Sequence, residues 1–321
     1  MSIEQLRTEL EGSLRGQVLT SHPLAKYTTY RLGGPAALFV EPADVDDLLM
    51  FAEVARGLSE RPSILALGRG SNLVISDEGW AGVVLYMGPA FSWLHETDDP
   101  YVQLHTGAGT TMPLLANWAA RRGLAGLEFA IAIPGSVGGA IRMNAGAHGH
   151  DAAGCLASSQ VLDLETTVVE SRSPDDLEYS YRHSGLTKNH VVIDARWRLR
   201  PDDVDAVKNR MEAYRRHRAE TQPGAFQNAG SVFKNPPHDS AGRLVEAAGL
   251  KGLRVGGATV SELHANFFIA GEGATSQDVF DLVHIVRETV RESFDVELEP
   301  EIRFAGPYEE PRAGAERVTP S

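Results

Sequence analysis

Two glycine-rich stretches hold the residues of this chain best suited to bind an anionic ligand. The first, Leu67-Gly68-Arg69-Gly70-Ser71-Asn72, follows the apolar run SILAL directly. Glycine lets a backbone approach a ligand closely and take turns that other residues avoid. Successive N–H groups in such a turn form a nest for an anion, and Ser71 and Asn72 add side-chain donors. The same residues would also serve as a tight turn between strands, and one glycine loop does not decide between these uses. The second stretch is Ile133-Pro134-Gly135-Ser136-Val137-Gly138-Gly139-Ala140, followed by Met143-Asn144-Ala145-Gly146-Ala147-His148-Gly149. So much glycine and alanine with so little charge suits a large flat ligand, or equally the tight packing of a buried helix start.

Familiar nucleotide motifs do not fit. Gly68 to Asn72 is not followed by Gly-Lys-Ser/Thr, so it is no P-loop. Gly107-Ala108-Gly109 opens a GxG but lacks the third glycine of a Rossmann turn. His148, His150 and Cys155 invite a metal reading, but no further ligands cluster near them in sequence, and the expectation is no metal. Tyr30, Arg31, Arg215, Arg216 and Arg218 can bind phosphate, although a solvated charged face is the commoner use of such residues.

These residues need a scaffold. With 321 residues, 42% of them apolar, the chain is long enough for two domains with real cores. Lys and Arg number 30 against 43 Asp and Glu, a net charge of −13, which argues against nucleic acid or an anionic membrane as partner. The single cysteine precludes an intrachain disulfide and fits a reducing compartment. The N-terminal MSIEQLRTELEGSL lacks the basic start and apolar run of a signal peptide. No apolar stretch is long enough to span a bilayer, so the cytoplasm is the expected location.

Periodicity predicts the elements. Ile3, Leu6 and Leu10 share a helical face. A turn at Gly33-Gly34-Pro35 leads into a strand. Asp44 caps a helix to about Arg56, with Val45, Leu48, Leu49 and Ala52 inward. Strands are expected near 63–67, 82–86, 101–106, 160–170 and 191–197. Thr111 caps a helix holding Leu114, Leu115 and Trp118, and Gly123 ends it. Composition changes at Pro201, which marks the expected domain boundary. Beyond it come an Arg-rich helix over 202–218, a Gly/Asn/Pro-rich stretch over 222–237, helices near 241–248 and 276–293, and strand-like runs near 254–260 and 266–270. Thr275 and Asp278 form the N-terminal signature of the last helix, whose apolar stripe is Val279, Leu282, Val283, Val286 and Val290. The run VELEPEIRF reads as a closing strand, and residues 307–321 as a loose tail.

Seven runs, TTYRLGGPA, LGRGSNLVISD, GLEFAIAIPGSVGGAIRMNAGAHG, SYRHSGL, NAGSVFKNP, AAGLKGLRVGGATVSELHANF and LEPEIRF, resemble the UDP-N-acetylenolpyruvoylglucosamine reductase (MurB) family. They occur in the family's order and cover about Thr28 to Gly306. The resemblance implies an α+β fold. A two-lobed FAD-binding domain of the vanillyl-alcohol oxidase (PCMH) type would occupy 28–200, and a smaller α+β substrate-binding domain 201–306. Residues 1–27 would be an N-terminal helix and lead-in. The implied reaction reduces UDP-N-acetylglucosamine-enolpyruvate to UDP-N-acetylmuramate for peptidoglycan, with NADPH as reductant and FAD as carrier. The FAD would be non-covalent, since the 68–72 loop has no His or Cys to bond it. A monomer is expected.

The same resemblance assigns roles residue by residue. Arg182 would hold the substrate carboxylate in a fork and stabilise charge developing there, although a surface ion pair is the ordinary fate of an arginine. Ser231 matches the family's proton donor, though it could be a turn serine bonding its own backbone. Glu301 is the third member. Alternation sends Glu297, Glu299 and Glu301 off the core face without choosing among them, and only the resemblance selects Glu301. An ionised carboxylate would repel a forming enolate, so Glu301 is expected to be protonated or bonded to a cation during turnover. Lys234, Asn235 and His264 would face the substrate. Gly68, Arg69, Gly70, Ser71, Asn72, Pro134, Gly135, Ser136, Gly138, Asn144, Ala145 and Gly146 would hold FAD. The span from Arg182 to Ser231 is too short for the extra tyrosine-bearing loop of one subgroup, so the chain resembles the compact subgroup. Two alternatives compete: a flavin oxidase of a sugar or alcohol on the same fold, and a non-enzymatic binder of a UDP-sugar or flavin.

Overall fold

A computed structural model describes residues 3–99, 101–224 and 227–312. The chain forms two compact units. The first comprises Met1–His22, Ala37–Arg69 and Ala81–Arg218, and the second Pro23–Ala36, Gly70–Trp80 and Ala219–Ser321.

The first unit carries two sheets, the two lobes expected of the FAD-binding half. One is four-stranded, in the order Gln17–Pro23, Pro35–Glu41, Trp80–Tyr86, Ile64–Leu67. Its last pair is parallel, with Leu67 opposite Tyr86, and so delivers the 68–72 loop from a strand end. The other is a five-stranded antiparallel sheet: Val168–Arg172, Leu156–Asp163, His190–Trp197, Val102–Gly107, Leu94–Asp99. Helices Ile3–Ser13, Val45–Arg56 and Met112–Arg121 bury apolar faces into one core with Phe51, Leu104, Phe129 and Trp197. Both expected caps form, since the side chain of Asp44 accepts from Asp47 N and that of Thr111 from Leu114 N. Val45, expected inward, is exposed, and Phe51 is buried instead.

The second unit holds a three-stranded antiparallel sheet of Arg254–Val255, Ala258–Val260 and Phe268–Ala270. Helix Ser276–Phe294 starts on a complete Thr275/Asp278 capping box and buries the whole expected stripe from Val279 to Val290.

The boundary expected at 200 is corrected. Helix Val204–Thr221 buries Val207 and Met211 in the first core, so the crossing falls after Arg218. The second unit also draws in 23–36 and 70–80. Strand Leu73–Ile75 pairs in parallel with Arg303–Ala305, and Tyr30, buried, donates to Phe268 O at 3.1 Å. Pairings at such separation leave no local trace in sequence.

The closing run is also corrected. Only Arg303–Ala305 is a strand, although the burial alternation of 296–304 persists. Residues 307–312 are not loose. Tyr308 stacks on Phe280 with centroids 4.7 Å apart, its hydroxyl donates to Val74 O at 2.8 Å, and Arg312 bonds Asp281 at 2.5 Å and Asp278 at 2.9 Å. The rest of the expected tail, 313–321, lies outside the described residues.

Candidate active site

The two glycine loops meet in the first unit. A side chain on Gly68 would overlap the Ser136 hydroxyl, and Arg69 Nε donates to Pro134 O at 3.1 Å. The Pro134–Gly138 segment is stapled to the turn before helix Met112–Arg121. Met112 N donates to Gly135 O (3.0 Å), Val137 N to Thr110 O (2.8 Å) and Gly138 N to Ala108 O (2.8 Å). The incomplete GxG motif at 107–109 thus serves as an anchor for the loop. Around this segment there is room: nothing lies within 4 Å of where a side chain on Gly149 would stand, and only Ser136 Oγ, at 3.7 Å, near Gly139. Open glycines along an uncharged loop fit a large planar group such as FAD. The far half of the first loop lies in the second unit. Gly70 has φ +55°, a left-handed backbone that favours glycine. Asn72 Nδ2 donates to Glu301 O at 3.0 Å.

Arg182 sits in a turn closed at both ends, where Ser180 N donates to His183 O and His183 N to Ser180 O, each at 3.2 Å. Its φ is +54°, uncommon for a residue with a bulky side chain. The guanidinium donates to Gly146 O at 2.6 Å and lies 5.2 Å from the Tyr181 ring centroid. The buried carboxamide of Asn144 donates to Asp151 Oδ2 and Ser180 O, each at 3.2 Å, and accepts from Ala153 N at 3.0 Å. Asn144, expected as a cofactor contact, therefore turns its side chain into the protein.

Among the described residues no three His, Cys, Asp or Glu side chains could hold an ion. His148 stacks face to face on Tyr214 at 4.1 Å, His150 faces Phe129 at 6.4 Å, and Cys155 is buried. Burial first, then the charges of His217, Arg218 and His150, lowers the His148 pKa. Burial pushes the Cys155 thiol up, which removes its reactivity. Tyr30 is a core residue, Arg215 bonds Asn117 Oδ1 at 3.0 Å, and Arg218 bonds the Ala132 carbonyl.

In the second unit Ser231 and Glu301 lie on neighbouring backbone segments. Glu301 N donates to Val232 O at 2.7 Å, and Ser231 bridges Phe267 on its other side. Asn266, which inspection of the sequence did not single out, zips this region. It accepts from Phe233 N at 2.9 Å, donates to Phe233 O at 2.8 Å, and its own carbonyl accepts from Val232 N at 2.8 Å. The only sequence signal for it was a polar residue inside the apolar run HANFFIA. Burial separates the three glutamates. Glu297 is exposed and pairs with Arg287 at 2.7 Å, Glu299 is exposed and pairs with Lys234 at 2.6 Å, and Glu301 is half-buried. Lys234 is therefore already engaged by a carboxylate. Asn235 Oδ1 accepts from Ala241 N at 3.1 Å, at the start of helix Ala241–Ala247. His264 Nδ1 accepts from Asn266 N at 3.2 Å, which puts the ring proton of the neutral form on Nε2. Burial lowers the His264 pKa, with Lys251 adding to it.

Comparison with known proteins gives concordant matches. Residues 36–171 match the family model described as FAD binding domain, and 222–305 the one described as UDP-N-acetylenolpyruvoylglucosamine reductase, C-terminal domain. The UDP-N-acetylenolpyruvoylglucosamine reductase of Bacillus subtilis (strain 168) is 38% identical over 306 residues, covering 95% of this chain and 99% of that one. A second such reductase from Symbiobacterium thermophilum is 44% identical over 304 residues, covering 94% and 96%. The crystal structure of the MurB reductase from Thermus caldophilus superposes with a TM-score of 0.76 at 35% identity, covering 91% of this chain and all of that one.

Proposed function

The chain belongs to the UDP-N-acetylenolpyruvoylglucosamine reductase (MurB) family, and on that premise we propose that Arg182, Ser231 and Glu301 are the residues that carry its reaction. The enzyme is a flavin-dependent oxidoreductase of peptidoglycan synthesis that uses FAD, with NADPH as reductant. The match at 222–305 sets aside the sugar or alcohol oxidase, which shares only the FAD-binding half.

When bound, FAD supplies hydride transfer between NADPH and the enolpyruvyl group. Gly68 to Asn72, Pro134, Gly135, Ser136, Gly138, Ala145 and Gly146 would hold it, through backbone groups and the Arg69 guanidinium. Arg182 takes the carboxylate of the enolpyruvyl group and stabilises the negative charge that grows there. The Ser231 hydroxyl delivers a proton to the carbon next to that carboxylate; a hydroxyl is a weak acid, but a carbanion-like carbon is a strong base. Glu301 works protonated or bonded to a cation, since an ionised carboxylate would oppose the forming charge. His264 offers its Nε2 proton to the substrate, Asn235 lines the same approach, and Lys234 meets the substrate by exchanging Glu299 for it. The compact subgroup does without the extra tyrosine loop. A monomer in the cytoplasm fits a net charge of −13, which disfavours self-association, and no helix among the described residues is long and apolar enough to cross a membrane.

The observation that best supports pairing Ser231 with Glu301 is the Glu301 N to Val232 O bond, which joins the two residues' backbone segments. The test is anaerobic. NADPH should bleach the yellow protein, and UDP-N-acetylglucosamine-enolpyruvate should restore the colour. Ser231→Ala should bleach at the normal rate and fail to turn over; normal turnover would remove Ser231 from the mechanism.

A further inference from the structure

We propose that Asn144 is a positioning residue for Arg182, locking the turn that carries the arginine to the hairpin whose carbonyl receives it. The inference rests on the reading of Arg182 given above and concerns the first unit alone.

Asn144 ends helix Val137–Met143 in the left-handed conformation, φ 44°. Asparagine is common there because it tolerates that backbone, but glycine would serve as well, so the cap does not explain the side chain. The carboxamide is 3% exposed, and burying it costs free energy unless its hydrogen bonds are made. It makes three, and each goes to a segment around Arg182. One amide proton goes to Ser180 O, the first residue of the arginine's turn. The other goes to Asp151 Oδ2, directly opposite Gly146 in the short hairpin of Gly146–Ala147 and His150–Asp151. The Asn144 oxygen takes Ala153 N, just beyond that hairpin. Gly146 O then accepts the Arg182 guanidinium at 2.6 Å. A Cβ on Gly146 would stand 3.1 Å from Arg182 Nη1, so the guanidinium lies tightly against this backbone.

The two ends of the arginine are thus tied to one carboxamide, the backbone end through Ser180 and the guanidinium end through the hairpin. This matters because Arg182 holds an uncommon backbone conformation, φ +54°, which persists only where its surroundings impose it. A long side chain with several rotatable bonds loses its aim when either end slackens, and misplacement by about 1 Å can cost on the order of 100-fold in rate. Asn144 touches neither substrate nor reacting atoms in this role.

The test uses the flavin-loaded enzyme and a double-mutant cycle. Asn144→Gly keeps the left-handed backbone and removes the carboxamide. We expect normal flavin content, bleaching by NADPH within about 3-fold of wild type, and reoxidation by UDP-N-acetylglucosamine-enolpyruvate slowed roughly 10- to 100-fold. In an Arg182→Ala background, Asn144→Gly should add less than about 3-fold, because two residues acting through one group are not additive. A full additional loss in that background would overturn the proposal, as would loss of flavin from folded Asn144→Gly, which would make the residue a cofactor ligand. If Arg182→Ala alone reoxidises normally, the reading of Arg182 fails first, and the cycle shows it separately. Should Asn144→Gly not fold, Asp151→Ala removes one arm of the lock and should slow the same half-reaction; normal reoxidation there would overturn the proposal equally.

Discussion

Arg182 and Ser231 are held in different ways. Arg182 is fixed through its side chain, with a bond from the guanidinium to Gly146 O and a buried carboxamide behind both partners. Ser231 is fixed through the main chain on either side of it: its neighbour Val232 bonds Asn266 and Glu301, and Gly230 supplies the turn with φ +76°. The difference follows side-chain length. A serine hydroxyl is one rotatable bond from the main chain, so placing the main chain nearly places the group. A guanidinium lies beyond four rotatable bonds, and only contacts near its tip can aim it.

The largest expected effect tests the arginine. Arg182→Ala should slow reoxidation by the enolpyruvyl sugar about 100- to 1000-fold in stopped-flow measurements. Arg182→Lys should recover little of this, since an ammonium cannot reproduce the fork. Full recovery with lysine would mean that charge alone matters and the aim does not. On the backbone-held side, Asn266→Ala removes two bonds to Phe233 and should destabilise the protein by about 2–4 kcal/mol in urea unfolding, with turnover falling in step. A stable variant with intact turnover would show that Ser231 needs no such support. Arg312→Ala strips the fully buried Asp281 of its cation. Because the arginine is itself half-exposed, the expected loss is about 1–2 kcal/mol, and it should appear without any change in turnover.

Acid should have the smallest effect. His148 and His190 in the first unit and His264 in the second all have pKa values lowered, chiefly by burial. Each is neutral when folded and takes up a proton more readily when unfolded. Their contribution to stability is therefore complete above the ordinary value of about 6.5 and is lost as pH falls through the lower folded values. Melting temperature should drop between pH 7 and 5, and His148→Asn together with His190→Asn should flatten that drop more than His264→Asn does.

Local signals in the sequence were dependable where the physics is local. The caps at Asp44, Thr111 and Thr275 and the stripe on the last long helix need only neighbours within one turn or two, and all formed. The inward placement of Val45 failed because periodicity places a residue on a helix face without saying what that face meets. Tyr308 and Arg312 looked like tail because their partners, Phe280, Val74 and Asp281, lie at least 28 positions away. In the site, alternation could not separate Glu301 from Glu299, whereas an exposed ion pair to Lys234 separates them at once. Asn144 was legible as a residue of the right loop, but the direction of its side chain was not.

The parallel pairing of Leu73–Ile75 with Arg303–Ala305 has a consequence for how the protein is made. Ile75 and Ala305 are 230 positions apart. At roughly 5–20 residues per second, the first of these strands waits on the ribosome for on the order of 10 to 50 s before its partner is synthesised. The neighbouring sheet around Trp80–Tyr86 can pair long before then. During that interval an apolar strand end lies open to the wrong partner, and a chaperone that covers Leu73-Val74-Ile75 should raise the yield of newly made enzyme more than it raises the stability of the finished one.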